Sequence, residues 1–265
     1  MKILITGANG VVGRYIASQL TDHELLTPSS SELDLRELAA VTDWFRNNKV
    51  DSVVHCALSG RECLGSLDPK YLSDGLLMFR NLWLQRKLYN KFINLGTAYE
   101  FNLDEDNTDV RESEIVYHLP STSYGYSKNL IARIIRETNR FYNLRLFGVF
   151  HENENEQRFF KRVAAGDHVV INNNQLLDYI YLPDIMPMIN CILAGLAQHQ
   201  DINMVYPNKY RLSELAYYLC EQLDIDKSNI KIADYNGCNL TGDSLRLASY
   251  NFPLIGIKQG LRNYK

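Results

Sequence analysis

From the N-terminus to about residue 150, short apolar runs rich in Val, Ile, Leu and Phe alternate with longer stretches whose apolar residues recur every three or four positions. Runs of the first kind read as buried strands and stretches of the second as amphipathic helices. The pattern predicts strands over residues 2–6, 24–27, 53–57, 92–96 and 144–150. It places helices between them, over 11–20, 36–47, 71–89 and 122–140. Such alternation is what a parallel sheet covered by helices on both faces produces, so the expected class is α/β, a Rossmann-type doubly wound parallel sheet.

Past Phe150 the pattern loosens, starting with a polar run, His151-Glu152-Asn153-Glu154-Asn155-Glu156, that no core strand would tolerate. A strand is predicted over 177–182 and helices over 184–196 and 214–223, the last with Ser213 as its N-cap. Residues 1–150 are therefore expected to form a dinucleotide-binding core. Residues 151–265 are expected to form a small C-terminal substrate-binding lobe interleaved with it. No internal repeat or low-complexity tract interrupts the chain.

Composition narrows the partners. The 265 residues are 46% hydrophobic and 22% charged with a formal net charge of −3, which gives no basic field for a nucleic acid. No run approaches the roughly 18 apolar residues of a membrane span, and Gly7 ends the first apolar run too early for a secretory segment. Five cysteines (Cys56, Cys63, Cys191, Cys220, Cys238), odd in number, widely spaced and without a CxxC pair, suggest neither a disulfide framework nor a metal site. The expectation is a cytoplasmic protein that could form a homodimer.

Gly7-Ala8-Asn9-Gly10-Val11-Val12-Gly13 sits between the first predicted strand and the first predicted helix, where a dinucleotide-binding turn belongs. Gly7 and Gly10 allow backbone to approach a pyrophosphate, the helix start supplies N–H donors, and Gly13 permits close packing. At the end of the second strand, where NAD-binding folds carry an acid for the ribose, the chain has Thr27-Pro28-Ser29-Ser30-Ser31. Hydroxyls, with Arg14 as a cationic partner for a 2′-phosphate, lean towards NADP. Glu32, as a ribose partner, would suit NAD instead.

Tyr124 and Lys128 lie four apart on the fourth predicted helix and so share one face. A free phenol titrates near ~10, and a neighbouring ammonium would bring it down towards the range useful for proton transfer. Tyr126, only two residues from Lys128, faces elsewhere.

The G-x-x-G-x-x-G spacing, the Y-x-x-x-K pair and Leu95-Gly96-Thr97 after the fourth strand, in that order, resemble the extended short-chain dehydrogenases/reductases of the NAD-dependent epimerase/dehydratase family. Asp178-Tyr179-Ile180-Tyr181-Leu182-Pro183-Asp184-Ile185 is similar to a further segment of that family. The branch it resembles is that of nucleotide-sugar epimerases and 4-keto-sugar reductases.

The resemblance implies that Thr97 orients the reacting oxygen, Tyr124 exchanges a proton, and Lys128 tunes Tyr124 and holds the nicotinamide ribose. Asp34 and Leu35 would meet the adenine, although Asp34 could equally cap the following helix, and Cys56 and Ala57 would lie along the cofactor. The implied activity is NAD(P)-dependent hydride transfer at a carbon of a nucleotide-activated sugar, most simply 4-keto reduction. Epimerisation is the alternative. It needs a further acid/base pair, for which relatives use a cysteine soon after the serine or threonine and a histidine. Here Ala98 and Tyr99 follow Thr97, and His151 is the candidate histidine. A non-catalytic dinucleotide sensor is the rival from another class. Arg145, Arg158, Lys161 and Arg162 are candidates for meeting a diphosphate, or else a solvated face.

Overall fold

Ile3, Leu4 and Ile5 are fully buried in the middle of β1 (Lys2–Thr6) in the computed structural model, which describes residues 1–60, 63–233 and 237–264. Five more strands join it: β2 (Glu24–Leu26), β3 (Ser52–His55), β4 (Lys91–Thr97), β5 (Phe141–Leu146) and β6 (Asp201–Met204). Their order across the sheet is β2-β1-β3-β4-β5-β6, and β2, β1, β3 and β4 pair parallel in sequence. The chain steps from β1 outward to β2 and then crosses back to β3. That reversal creates a topological switch point beside the carboxyl ends of β1 and β3, where open α/β sheets bind ligands.

Four helices connect these strands: α1 (Val11–Gln19), α2 (Leu38–Asn47), α3 (Pro69–Leu84) and α4 (Ser123–Arg136). Leu4, Val53 and Phe92 from the sheet meet Val41 and Phe45 of α2, Met78, Phe79 and Leu82 of α3, and Ile131 and Ile135 of α4 in one buried cluster. Phe92 and Phe141 stack there with centroids 4.8 Å apart. Element ends shift from the expected ones for identifiable reasons. The second helix starts at Leu38 because the Arg36 N–H donates to the Asp34 carboxylate, closing a turn before Glu37 caps the helix. Asp34 is therefore not the helix N-cap.

The chain divides into two compact units, Met1–Asn102 with Ser113–Arg145 and Met186–Ile202, and Leu103–Glu112 with Leu146–Ile185 and Asn203–Lys265. In the second, the predicted strand over 144–150 is broken. The paired segment after the break is Val149–Phe150, parallel to Ile180–Tyr181. At the break, a side chain on Gly148 would strike the Tyr179 ring. The predicted strand over 177–182 shrinks to those two residues, and a 3₁₀ turn, Leu182–Ile185, precedes the α-helix Met186–Ala194. The helix Leu212–Leu223 is capped at Arg211, whose N–H donates to Glu214, while the Ser213 N–H is taken by Asn174; Ser213 is inside the helix, not its cap. Buried Asp184 accepts from the Ile255 and Gly256 N–H groups, both at 2.8 Å, and anchors the C-terminal segment of this unit. Among the described residues no helix is long and apolar enough to cross a membrane.

Candidate active site

The turn after β1 brings three stretches of backbone together. Gly7 has φ +69°, a left-handed conformation that penalises any Cβ. A methyl there would run into the Cys56 and Ala57 backbone beyond β3, and one on Gly13 would overlap the Gly7 carbonyl. Gly10 caps α1 without a side chain, leaving the first N–H groups of the helix open to an anion.

Beside the turn lies an open cleft of about 370 Å³. Thr6 to Asn9 form one wall, Ser29, Ser30 and Leu33 to Arg36 another, and Ala57 to Gly60 a third. Of the residues expected to meet a cofactor, Gly7, Asn9, Asp34, Leu35 and Ala57 line this cleft. Gly10, Val11, Val12, Gly13, Arg14 and Cys56 lie outside its lining, Gly13 acting behind the turn. The Arg14 guanidinium donates to the Asn9 carbonyl at 2.9 Å instead of facing the cleft. Glu32 is occupied by the N–H and hydroxyl of Ser29, both at 2.7 Å, and also lies outside the lining. Lys70 lines the cleft, and so does Arg36, a cation that sequence reading missed. Its guanidinium is clamped by Asp34 at 2.7 and 2.9 Å and approached by Asp74 at 3.6 Å. The Arg36 side chain bound to it holds the Asp34 carboxyl below its ordinary range.

Ala57, Leu58, Ser59 and Met78 also border a narrow second cavity, lined further by His55, Cys63, Tyr71, Tyr124, Ser127 and Lys128. The nucleotide-side cleft and this cavity thus share part of their walls. Tyr124 comes from the first turn of α4, where the Thr122 hydroxyl caps the helix by accepting from the Gly125 N–H at 3.1 Å. Gly125 is required because a methyl there would overlap the Tyr99 carbonyl and the Thr122 hydroxyl. The Tyr99 ring packs edge-on against Tyr124 with centroids 5.9 Å apart. Thr97, at the end of β4, lies near the Tyr124 phenol, and its hydroxyl favours the phenolate. Thr97, Tyr124 and Lys128 are therefore brought to one place.

Two electrostatic expectations need correction. Lys128 donates to the Leu95 carbonyl at 3.0 Å rather than to the phenol. The phenol is not lowered but raised above its ordinary value: burial dominates, Cys63 and Glu100 add to it, and the Thr97 hydroxyl opposes it. Burial also pulls the Lys128 ammonium below its ordinary range, with Glu100 opposing. At neutral pH the site holds a protonated phenol ready to donate. His55, also on the cavity wall, is bonded to the Thr6 hydroxyl at 2.8 Å and pushed down to about 3 by burial and the Lys128 charge, so it stays neutral.

Arg145 cannot meet a diphosphate. It is fully buried, with Glu100 at 2.6 Å and Asp201 at 2.9 Å. Arg158 is engaged by Glu154, Lys161 by Glu156 and Arg162 by Asp167. His151 stacks on Tyr181 with Glu152 3.7 Å away. Sequence reading also missed Cys63 and Glu100. Thr97-x-x-Glu100 is a capping-box spacing that could have flagged Glu100; nothing local distinguishes Cys63 from the other cysteines.

Comparison with known proteins bears on the fold and the family. GDP-L-colitose synthase of Yersinia pseudotuberculosis is 33% identical over 53% of this chain, and the match covers 50% of its own length. The chain thus spans about half the length of that curated relative. A dTDP-4-dehydrorhamnose reductase from Clostridium acetobutylicum has a similar structure with TM-score 0.82 and 18% identity, covering 100% of this chain and 98% of the other. GDP-mannoheptose C4 reductase from Campylobacter jejuni, solved with NADP bound, has TM-score 0.82 and 17% identity, covering 99% and 96%. The model of the NAD dependent epimerase/dehydratase family matches residues 3–204, and the chain belongs to that family.

Proposed function

We propose that this protein is a cytoplasmic NADP-preferring reductase that acts on the 4-keto group of a nucleotide-activated sugar. The observation that carries this reading is that Tyr124 and Lys128 line one cavity that shares walls with the glycine-turn cleft, with Thr97 beside the Tyr124 phenol. The residues present fit a dinucleotide. Gly7 and Gly13 allow the close backbone packing that shapes the turn, and the cleft beside it is of ligand-site size. Gly7, Asn9 and the start of α1 would hold the pyrophosphate, and Asp34 and Leu35 the adenine. Arg36, Ser29 and Ser30 offer the cation and hydroxyls that a 2′-phosphate needs. When bound, the cofactor supplies the hydride.

The remaining chemistry belongs to the chain. Thr97 orients the keto oxygen, and Tyr124 delivers the proton that oxygen needs as it becomes a hydroxyl. Lys128 contributes positive charge behind Tyr124 and would hold the nicotinamide ribose. The related synthase and the structurally similar reductases, whose names refer to GDP- and dTDP-linked sugars, supply the substrate class. The test is turnover of a panel of GDP- and dTDP-4-keto-6-deoxysugars with NADPH or NADH. Consumption of NADPH with at least one of them is expected. Absence of binding of either cofactor at millimolar concentration would end this reading.

One observation favours an epimerase as second reading. Cys63 lines the cavity that holds Tyr124 and supplies a thiol which the run after Thr97 lacks. Reaction in deuterated water separates the two: deuterium at C3 or C5 of the product identifies epimerisation, and its absence leaves reduction alone.

A further inference from the structure

A buried set of charges reaches the end of β4 at Thr97, and the chemistry above leaves it unused. Glu100, Arg145 and Asn143 are fully buried and Asp201 nearly so, in a region where an unpaired charge is very costly. Glu100 Oε2 accepts from Arg145 Nε at 2.6 Å, and Arg145 Nη2 donates to Asp201 Oδ2 at 3.0 Å. Asn143 Nδ2 donates to Glu100 Oε2 at 3.1 Å and to Asp201 Oδ1 at 3.2 Å, while Asn143 Oδ1 accepts from Asn94 at 2.6 Å. The second Glu100 oxygen, Oε1, accepts the Thr97 N–H at 3.0 Å and the Asn143 amide at 3.4 Å. Each charge is met, yet a hydrophobic set of the same volume would fill the space at no such electrostatic risk.

Two neighbours show that the carboxylate is built into this position. Gly96 carries no Cβ where one would overlap Glu100 Oε1 and the Asn143 side-chain amide. Asn129, from the α4 helix that carries Tyr124 and Lys128, donates to the Glu100 carbonyl at 2.7 Å. Glu100 is thereby held from both ends. Its side chain is fixed by charges on β5 and β6, and its backbone is fixed by the helix bearing the proton donor.

Resting on the reductase reading, we propose that Glu100 is a positioning residue, whose carboxylate ties the Thr97 backbone to the Arg145–Asp201 pair and so fixes where the Thr97 hydroxyl meets Tyr124. Glu100 touches neither substrate nor cofactor in this role; it acts through Thr97. The charge set gives a loop residue at the end of β4 the rigidity of three strands, as a positioned oxygen in a reduction requires.

The test is a double-mutant cycle between Glu100→Gln and Thr97→Val, with full-length protein whose fold is verified by circular dichroism. Glu100→Gln in the native background should lower kcat about tenfold or more with KM and NADPH affinity little changed. In the Thr97→Val background the same substitution should cost less than about twofold, because the residue it acts through has lost its hydroxyl. Equal losses in both backgrounds would assign Glu100 a merely structural role and overturn the proposal. Gly96→Ala provides a second variant that displaces the carboxylate while keeping every charge, and it should reproduce the loss.

A readout without substrate separates this proposal from the reductase reading itself. Amide hydrogen exchange by NMR should show the Thr97 N–H exchanging at least about tenfold faster in Glu100→Gln, with α4 amides unchanged. Unchanged Thr97 exchange refutes the proposal even if the enzyme turns over. Faster exchange in a protein that reduces no keto sugar keeps the tie and removes the reductase reading.

Discussion

Tyr124 shows how burial overrides a sequence rule. The four-residue spacing to Lys128 suggests a phenol lowered by an ammonium, but the ammonium is spent on the Leu95 carbonyl and the phenol is stripped of water. Its titration is raised above the ordinary ~10, so the acid form persists through the alkaline range. A reduction that draws its proton from Tyr124 loses rate only as that proton is lost. kcat/KM for reduction should therefore stay level to about pH 9. A fall centred near pH 6 to 7 would point to a histidine as donor. Arg36 carries a second residue-scale expectation, since its guanidinium is on the cleft wall. Arg36→Ala should weaken NADP binding about tenfold or more and leave NAD binding nearly unchanged, as fluorescence titration would report. Equal weakening of both would take the 2′-phosphate away from Arg36.

Helices and strands of the nucleotide-side unit were readable because their signals are local. The buried run of β1, the glycines of the turn and the apolar face of α4 each follow from residues within one or two turns of one another. What could not be read depends on partners far along the chain. Arg145 looks like any strand-end cation until Glu100 and Asp201, 45 and 56 residues away, are placed around it. Cys63 reaches Tyr124 only through the fold. Short elements such as Ile180–Tyr181 carry too few residues to show a period. Capping is local, and it supports a prediction at this scale. Thr122→Ala removes the only side-chain cap of α4 and should destabilise the protein by about 1 kcal/mol in urea unfolding, with Tyr124 chemistry preserved once folded. No loss of stability would mean that tertiary packing alone sets the start of the helix.

At the scale of the molecule, the doubly wound sheet places ligand-facing loops at one edge, and a dinucleotide there binds the native state only. Saturation to about 100 times Kd should add roughly 2.7 kcal/mol to unfolding stability. NADP should give the larger thermal shift than NAD at equal concentration, and identical shifts would contradict the preference assigned to Arg36. The balance between reduction and epimerisation is not legible in the fold, because both use the same Thr97, Tyr124 and Lys128. The central claim is that this site passes a hydride to C4 of a nucleotide sugar while Tyr124 supplies the proton. The most direct measurement is mass spectrometry and NMR of the product formed from a 4-keto nucleotide sugar with NADPH deuterated at the transferable position. Wild-type enzyme should place one deuterium at C4, and Tyr124→Phe should form that product about 100-fold more slowly. Product without deuterium at C4, or labelling at an unchanged rate in Tyr124→Phe, would contradict it.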